Sequence, residues 1–269
     1  MKAWFALTYG PAVLFILSSD RHELSALRKL WLGWRMLRTT LRVQSGTGPK
    51  THLAMALKIL ETPRSVEGVV VECGAWKGAS TANLSLACKI AGRRLVVFDS
   101  FEGLPQGVEG DREASSYQSG DYRGSLEEVK ANIRAYGAID VCEFRKGWFD
   151  QTLPVFDSPV ILAFLDVDLE ASLVTCVENL WPRLVDGGYV FTDEMAGLGY
   201  CSLFWSERWW RERFDSEPPG LVGSGTGLAL GEFYIGPRDE KSDHPLQHVT
   251  AAAYTRKGWA HRWTFYPDG

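Results

Sequence analysis

The sequence lacks the short motifs that identify several common kinds of site. It has no C-x-x-C pair, and its five cysteines are scattered and odd in number. That pattern argues against a zinc site or a disulfide framework and indicates reduced thiols, as expected for a cytoplasmic protein. The glycine-rich turn after the first predicted strand is neither a G-x-G-x-x-G fingerprint nor a P-loop. No internal repeat or low-complexity tract is present.

Positive charge is not in excess. The formal net charge is -4 and the pI is about 5.8, so no nucleic-acid partner is predicted. A chain of 269 residues with 45% hydrophobic content suits one α/β domain of ordinary size with extra terminal elements. We expect residues 1–49 to form a helical extension and residues 50–269 to form the main domain.

Long apolar runs are scarce, and the one candidate is residues 1–19. This run is a little short for the ~20 residues that a spanning helix needs. It contains Gly10 and Pro11 and lacks an A-x-A cleavage site. We therefore favour an N-terminal segment that packs on the protein over a signal peptide or a membrane anchor.

The segment that follows has an amphipathic helical pattern. The favoured interpretation is a helix whose apolar side packs on the core and whose basic side faces solvent. The alternative is a helix on a membrane surface, which would give a peripheral membrane contact through the N-terminus. The apolar positions are Leu24, Leu27, Trp31, Trp34, Leu37 and Leu41, and the basic ones are Arg28, Lys29, Arg35, Arg38 and Arg42.

From about residue 50, helical and strand patterns alternate. Five short apolar runs read as strands, and one of them, "PVILAFLDVD", is almost continuously apolar, as expected for a strand buried on both faces. Between them lie helical stretches such as "SLEEVKANIRAYG", with Ser125 as its predicted N-cap and Gly137 as its stop. This alternation predicts an α/β fold: a mostly parallel, doubly wound sheet with helices on both faces.

Carboxylates follow the first two predicted strands, where such sheets bind ligands. Glu72 stands in the pattern Glu72-x-Gly74-x-x-x-Gly78, and Asp99 ends the next strand. An acid just before the first glycine, here Glu72, suits an ammonium group. An acid at the end of the second strand, here Asp99, typically accepts hydrogen bonds from ribose hydroxyls. Together they predict S-adenosylmethionine (SAM). Taken singly, they could be a tight turn and a cap.

A second acidic set follows the fourth and fifth predicted strands: Asp166, Asp168, Asp193 and Glu194. Carboxylates that converge without a cation repel one another. A hard divalent cation such as Mg²⁺, which prefers oxygen ligands, would relieve that repulsion. The alternative is that these residues are helix caps and surface acids.

Five stretches, in order and at matching spacing over about residues 50–200, resemble the macrocin O-methyltransferase family of class I methyltransferases, which have a Rossmann-like fold. They are "VVVECGAWKGAS", "FDSFEGLPQ", "EEVKANIRAYG", "FRKGWFDQTLP" and "LDVDLEASLVTCVENLWPRLVDGGYVFTDE". The layout of acids is also similar to that of catechol O-methyltransferase. The resemblance implies a SAM- and Mg²⁺-dependent O-methyltransferase in residues 50–269.

The resemblance also implies roles for individual residues. Asp166 would accept the proton of the acceptor hydroxyl and would bind Mg²⁺ together with Asp193 and Glu194. The implied SAM-binding residues are Glu72, Gly74, Gly78, Ser80, Asp99, Ser100, Phe101 and Trp148. The acceptor would be a small molecule, a sugar or a glycosylated natural product, and a homo-oligomer is expected. The alternatives are a metal-independent or N-directed methyltransferase of this fold, or a SAM-binding protein without activity.

The chain departs from the family pattern at three places. Glu170 replaces a tyrosine, Leu173 replaces a threonine, and Asp193-Glu194 replaces a pair of aspartates. Outside the motifs, we expect loop 105–124 to act as a lid, with Tyr117 and Tyr122 as acceptor contacts.

Two further stretches, residues 204–210 and 244–248, lie outside these motifs. For the aromatic residues at 204–210, an acceptor pocket or oligomer contact and plain core packing are equally favoured. A metal role for His244 and His248 is disfavoured, because Pro245 lies between them and no cysteine partner accompanies them.

Overall fold

A computed structural model of the chain describes residues 9–10, 13, 17, 19, 21–22, 24–105, 118–193, 202–221 and 253–258. The described strands are β1 Val69–Cys73, β2 Leu95–Asp99, β3 Cys142–Lys146, β4 Val160–Leu165, β5 Leu184–Thr192 and β6 Ala253–Arg256. They form one six-stranded sheet in the order β3-β2-β1-β4-β5-β6. The first five strands are parallel, and β6 pairs antiparallel with β5. The predicted α/β fold is confirmed, and β6 is an addition to it.

The described helices are α1 Ala26–Arg42, α2 Pro49–Glu61, α3 Ala79–Ala91, α4 Leu126–Tyr136, α5 Phe149–Thr152, α6 Glu170–Leu180 and α7 Glu207–Phe214. The predicted boundaries of α4 are confirmed. The Glu128 N–H donates to Ser125 Oγ at 3.2 Å, and Gly137 is the C-cap residue. Such a cap satisfies one of the backbone donors that a helix start leaves unpaired.

Helices cover both faces of the sheet and create two hydrophobic clusters. β1 and β4 are buried along their whole length, as the near-continuous apolar sequence of β4 predicts. Val70 of β1 belongs to the cluster under α1, α2 and α3, whereas Val71 belongs to the cluster under α6 and α7. Phe204 and Trp210 are fully buried in that second cluster, so core packing is the correct alternative for these two aromatic residues.

The predicted orientation of α1 is wrong. Its core face consists of Leu32, Gly33, Met36 and Thr39, while the residues expected to face the core, among them Leu27 and Trp34, are exposed. Gly33 explains the difference, because a Cβ there would lie 2.3 Å from a methyl carbon of Val13. The absence of a side chain lets the N-terminal segment pack directly on this face of the helix.

The N-terminal segment packs on the protein at the described positions Tyr9, Val13 and Leu17, which are all buried, so the favoured interpretation is confirmed there. No helix in the described ranges is both long and apolar enough to cross a membrane. Because α1 packs against α2, α3 and α4, the described part of residues 1–49 shares the core of the main domain. The division at residue 50 stays a prediction.

Candidate active site

The strand order reverses between β1 and β4, and the chain leaves both strands at the same edge of the sheet. Gly74 follows β1 and Asp166 follows β4, and the Asp166 N–H donates to the Cys73 carbonyl at 3.0 Å. Gly74 has φ +88°, and a Cβ there would lie 1.8 Å from the Asp166 carbonyl oxygen. The two strand ends approach this closely only because residue 74 is glycine.

A cavity of about 450 Å³ opens at this edge of the sheet. Its volume falls in the range of small-molecule sites. Five of the predicted SAM-binding and Mg²⁺-binding residues line it: Gly74, Asp99, Ser100, Trp148 and Asp166. The other lining residues are Gly46, Trp76, Gly103, Leu104, Pro105, Tyr122, Gly147, Phe149, Asp150, Val167, Asp168, Ala171, Ser172 and Thr175.

Asp99 connects the turn after β1 to the end of β2. Its Oδ2 accepts the Ala75 N–H and its Oδ1 accepts the Phe101 N–H, each at 2.6 Å. Burial raises the pKa of this carboxyl, and the backbone N–H groups of Ala75, Phe101 and Trp76 oppose that rise. Hydrogen bonds to the ionised form favour it, so the carboxylate is held rigidly at the cavity wall.

Two aromatic residues of the cavity wall, Trp76 and Tyr122, meet edge to face with their ring centroids 5.4 Å apart. Both have a left-handed backbone, with φ 44° at Trp76 and 55° at Tyr122. Left-handed non-glycine residues are uncommon and cluster at functional sites. The predicted lid begins and ends nearby, where the Leu104 N–H donates to the Asp121 carbonyl at 2.9 Å. Tyr122 therefore lies at the cavity as predicted, and Tyr117 lies outside the described residues.

Glu72 is fully buried and does not line the cavity. Burial raises the pKa of its carboxyl to about 7, the charge of Asp99 raises it further, and the hydroxyls of Ser80 and Thr81 lower it. Although those hydroxyls are near, neither carboxylate oxygen forms a hydrogen bond with a described residue. A buried carboxyl without partners is costly. The ammonium contact stays a prediction.

Three other predicted SAM-binding residues, Gly78, Ser80 and Phe101, do not line the cavity. Gly78 adopts φ +81° as the N-cap residue of α3, and Ser80 is buried in the first turn of that helix. Phe101 has φ 57° and is 3% exposed, and its ring packs in the core against Phe144. The left-handed backbone turns the Phe101 side chain inward, so the residue contributes its N–H to Asp99 instead.

Two members of the second acidic set, Asp166 and Asp193, lie near Thr47, a buried residue in the loop between α1 and α2. The Thr47 hydroxyl donates to Asp166 Oδ2 at 3.0 Å. Burial raises the pKa of Asp193 to about 6, the charge of Asp168 raises it further, and the Thr47 hydroxyl lowers it. Asp193 Oδ1 is buried without a hydrogen-bond partner among the described residues. Thr47 thus lies next to both carboxylates that follow β4 and β5, and its hydroxyl donates to that of Asp166.

The structure describes two of the three predicted Mg²⁺ ligands, Asp166 and Asp193, and Glu194 lies outside the described residues. Within the described ranges, no group of three His, Cys, Asp or Glu side chains is placed to hold a metal ion. His244 and His248 also lie outside those ranges.

The departures of α6 from the family pattern are not part of the cavity wall. Glu170 is the first residue of α6, and Leu173 is fully buried in the core. The residues of α6 that line the cavity are Ala171, Ser172 and Thr175. The replacement of a tyrosine at 170 and of a threonine at 173 therefore does not alter the described wall directly.

Sequence patterns did not identify several residues of the site, among them Gly46 and Thr47. Gly46 lines the cavity and Thr47 bonds to Asp166. Neither stands in a motif or beside a predicted strand, and only the tertiary contact across 119 positions of sequence identifies Thr47. The predicted domain boundary at residue 50 consequently leaves part of the site wall on the N-terminal side.

Residues 50–216 match the family model for macrocin O-methyltransferases (TylF). An 8-demethyl-8-(2,3-dimethoxy-alpha-L-rhamnosyl)-tetracenomycin-C 4'-O-methyltransferase from Streptomyces olivaceus is 38% identical over 141 residues, 49% of this chain and 54% of that protein. Demethyldecarbamoylnovobiocin O-methyltransferase from Streptomyces niveus is 32% identical over 184 residues, 61% of this chain and 69% of that protein. The match spans about half the length of the first relative and about two thirds of the second.

Two solved structures share the fold. The O-methyltransferase NovP has a TM-score of 0.60 at 20% identity, covering 94% of this chain and 98% of that one. CalS11, a calicheamicin methyltransferase, has a TM-score of 0.52 at 19% identity, covering 94% of this chain and 93% of that one. Likeness at this level of identity concerns the fold alone, which is Rossmann-like and of the class I methyltransferase type. Because the family model covers more than half of the chain, the chain belongs to the macrocin O-methyltransferase family.

Proposed function

We propose that this protein transfers a methyl group from SAM to a sugar hydroxyl of a glycosylated natural product, and that it requires Mg²⁺. The observation that carries the proposal is the meeting of Asp99 and Asp166 in one cavity at the switch point between β1 and β4. The acceptor class rests on the relatives, which are named as O-methyltransferases of a rhamnosyl-tetracenomycin and of demethyldecarbamoylnovobiocin.

The residues present fit SAM. The charge of Asp99 acts on the buried carboxyl of Glu72, and two acidic groups at this end of the sheet suit a ligand with ammonium and sulfonium groups. Asp99 would hold the ribose hydroxyls, with Trp148 at the adenine side of the cavity. When bound, SAM supplies the electrophilic methyl group.

The acidic set fits a hard cation in part. Asp193 has a buried Oδ1 without a described partner and a pKa raised to about 6, which is the electrostatic strain that a divalent cation relieves. Asp166 and Asp193, together with Glu194, would hold the ion. When bound, Mg²⁺ lowers the pKa of an acceptor hydroxyl beside it.

Within this arrangement the chain itself would position and deprotonate the acceptor. Asp166 would take the proton of the sugar hydroxyl, and Thr47, by donating to Oδ2 of Asp166, would fix the orientation of that carboxylate. Trp76 and Tyr122, which both line the cavity, would confine the acceptor. Positioning and proton transfer would then supply most of the rate enhancement.

The test is a turnover assay with SAM and a panel of rhamnosylated and other glycosylated natural products, run on protein freed of metal and then supplied with Mg²⁺. We expect a methyl group on a sugar oxygen, no turnover without Mg²⁺, and a loss of roughly 100-fold or more for Asp166→Asn. Asp157→Asn, an exposed aspartate outside the cavity, is the matched control.

Calorimetry with SAM separates the alternatives. We expect SAM to bind the wild type and the Asp166→Asn variant alike, because Asp166 acts on the acceptor. Failure of the wild type to bind SAM would refute the proposal as a whole. Turnover at the same rate with and without metal would refute the Mg²⁺ requirement. Transfer of the methyl group to nitrogen would refute the oxygen acceptor. SAM binding without turnover on any sugar would favour an inactive SAM-binding protein.

A further inference from the structure

Helix α1 carries an exposed apolar surface, which we call the α1 stripe: Leu27, Leu30, Trp31, Trp34 and Leu41. Leu27 is 80% exposed and Trp34 is 57% exposed. At 100° per residue these five side chains project from one side of the helix, opposite the buried face at Leu32 and Met36. Among the described residues, the large apolar side chains that are exposed elsewhere are Tyr122, at the cavity, and Val155.

The α1 stripe is bordered by positive charge. The helix sequence "ALRKLWLGWRMLRTTLR" contains five basic residues and no acidic one. Arg38 projects from the middle of the stripe, with its guanidinium 5.9 Å from the Trp34 ring centroid, and the guanidinium of Arg35 lies 5.3 Å from that of Trp31. The whole chain has a formal net charge of -4. Because α1 contributes +5, the rest of the chain has a formal net charge of -9.

We propose that the α1 stripe docks on an anionic lipid bilayer, with α1 lying flat in the interface. The composition supports this, since tryptophan and leucine on one side with arginine beside them are typical of interfacial helices. Arginine can reach the phosphate level while the rings stay at the boundary between head groups and acyl chains. A helix of 17 residues lying flat would offer about 26 Å of contact.

Charge complementarity favours lipid over a second copy of the chain. If two α1 stripes paired about a two-fold axis, each helix would bring arginines, Arg38 among them, and no acidic residue against the same set. Arg38 would lie near the centre of such a contact, where like charges are costly. An anionic bilayer offers both an apolar layer and negative head groups. The acidic remainder of the chain would be repelled by that surface, so binding would depend on α1.

The test uses the full chain and sedimentation with vesicles. Vesicles of phosphatidylcholine with about 30 mol% phosphatidylglycerol are compared with pure phosphatidylcholine at ~0.1 M and ~0.5 M salt. We expect binding to the anionic vesicles alone, weakened by salt. The double variant Leu27→Ser/Trp34→Ser should lower the partition coefficient by roughly tenfold or more. Its matched control is Val155→Ser, which removes an apolar side chain that is 79% exposed.

A second pair of variants tests the charge. Arg28→Gln/Arg42→Gln, at two exposed positions of α1, should weaken binding by about fivefold for each charge removed. Lys89→Gln/Arg94→Gln removes the same charge from another exposed part of the chain and should leave binding almost unchanged.

Two outcomes would overturn the proposal. The first is the absence of binding to anionic vesicles by the wild type. The second is a wild type that forms an oligomer in light scattering and a Leu27→Ser/Trp34→Ser variant that is monomeric, with neither protein binding vesicles. That result would assign the α1 stripe to contact with a second copy of the chain. Retained SAM binding by each variant establishes that it is folded.

Discussion

The buried carboxyl of Glu72 makes the stability of the SAM-free protein depend on pH in a direction opposite to that of most carboxyls. Its pKa rises from 4.5 to about 7 on folding, so the folded state keeps a proton that the unfolded chain releases. Stability from this group is fully present below pH 4.5 and is lost as the pH rises through 7. At about 1.36 kcal/mol per pKa unit, the loss reaches about 3 kcal/mol at pH 8.

Glu72→Gln removes the titration while keeping the shape of the side chain. The variant should therefore be more stable than the wild type by about 3 kcal/mol at pH 8 and nearly equal to it near pH 4.5. His52, whose pKa burial lowers to about 4, destabilises the fold as the pH falls from 6.5 towards 4. It does so equally in both proteins, so its effect cancels in the difference.

The measurement is urea unfolding at pH 4.5, 6 and 8 without SAM, with the exposed Glu67→Gln as a control expected to stay within about 0.5 kcal/mol of the wild type. Equal stability of the Glu72→Gln variant and the wild type at pH 8 would mean that Glu72 is ionised at no cost, and the reasoning from its burial would fail. Titration of the same proteins with SAM tests the predicted ammonium contact, since a lost charge-assisted contact weakens binding by roughly tenfold.

Two further predictions follow from close contacts in the site. Gly74→Ala should cost more than about 3 kcal/mol in thermal or urea unfolding, because its Cβ would collide with the Asp166 carbonyl. Gly92→Ala, also left-handed but with open space around it, should cost about 1 kcal/mol, and equal losses would contradict the steric explanation. Thr47→Val should lower kcat by roughly tenfold to 100-fold with unchanged SAM affinity. Thr47→Ser should restore activity, and failure of that rescue would mean that the hydroxyl is not what positions Asp166.

The strands and their acidic ends could be predicted because their signal is local. A strand buried on both faces is an unbroken apolar run, so Asp99, directly after Leu95–Phe98, stands out at the edge of the sheet. Asp166 could be located for the same reason, whereas Trp148 was implied by the family resemblance alone, and both line the cavity. Parallel strands bring such ends together whatever their separation in sequence.

The direction of individual side chains could not be predicted in the same way. Phe101 follows Asp99 by two positions, yet its left-handed φ sends the ring into the core. Helical spacing likewise predicts a stripe on α1 but not which of two stripes is buried. The buried one is decided by the contact of Gly33 with Val13, which is a tertiary contact between segments without a shared motif.

The loop that carries Thr47 has a consequence for transplanting the site into another protein. It begins directly after Arg42, the last residue of α1, and ends at α2. Thr47 therefore precedes residues 50–216, the region that matches the family model. A chimera that exchanges only this region would combine one protein's Asp166 with another protein's partner for it. Under the role proposed for Asp166, methyl-transfer activity should be portable only when residues 43–48 are transferred together with residues 50–216.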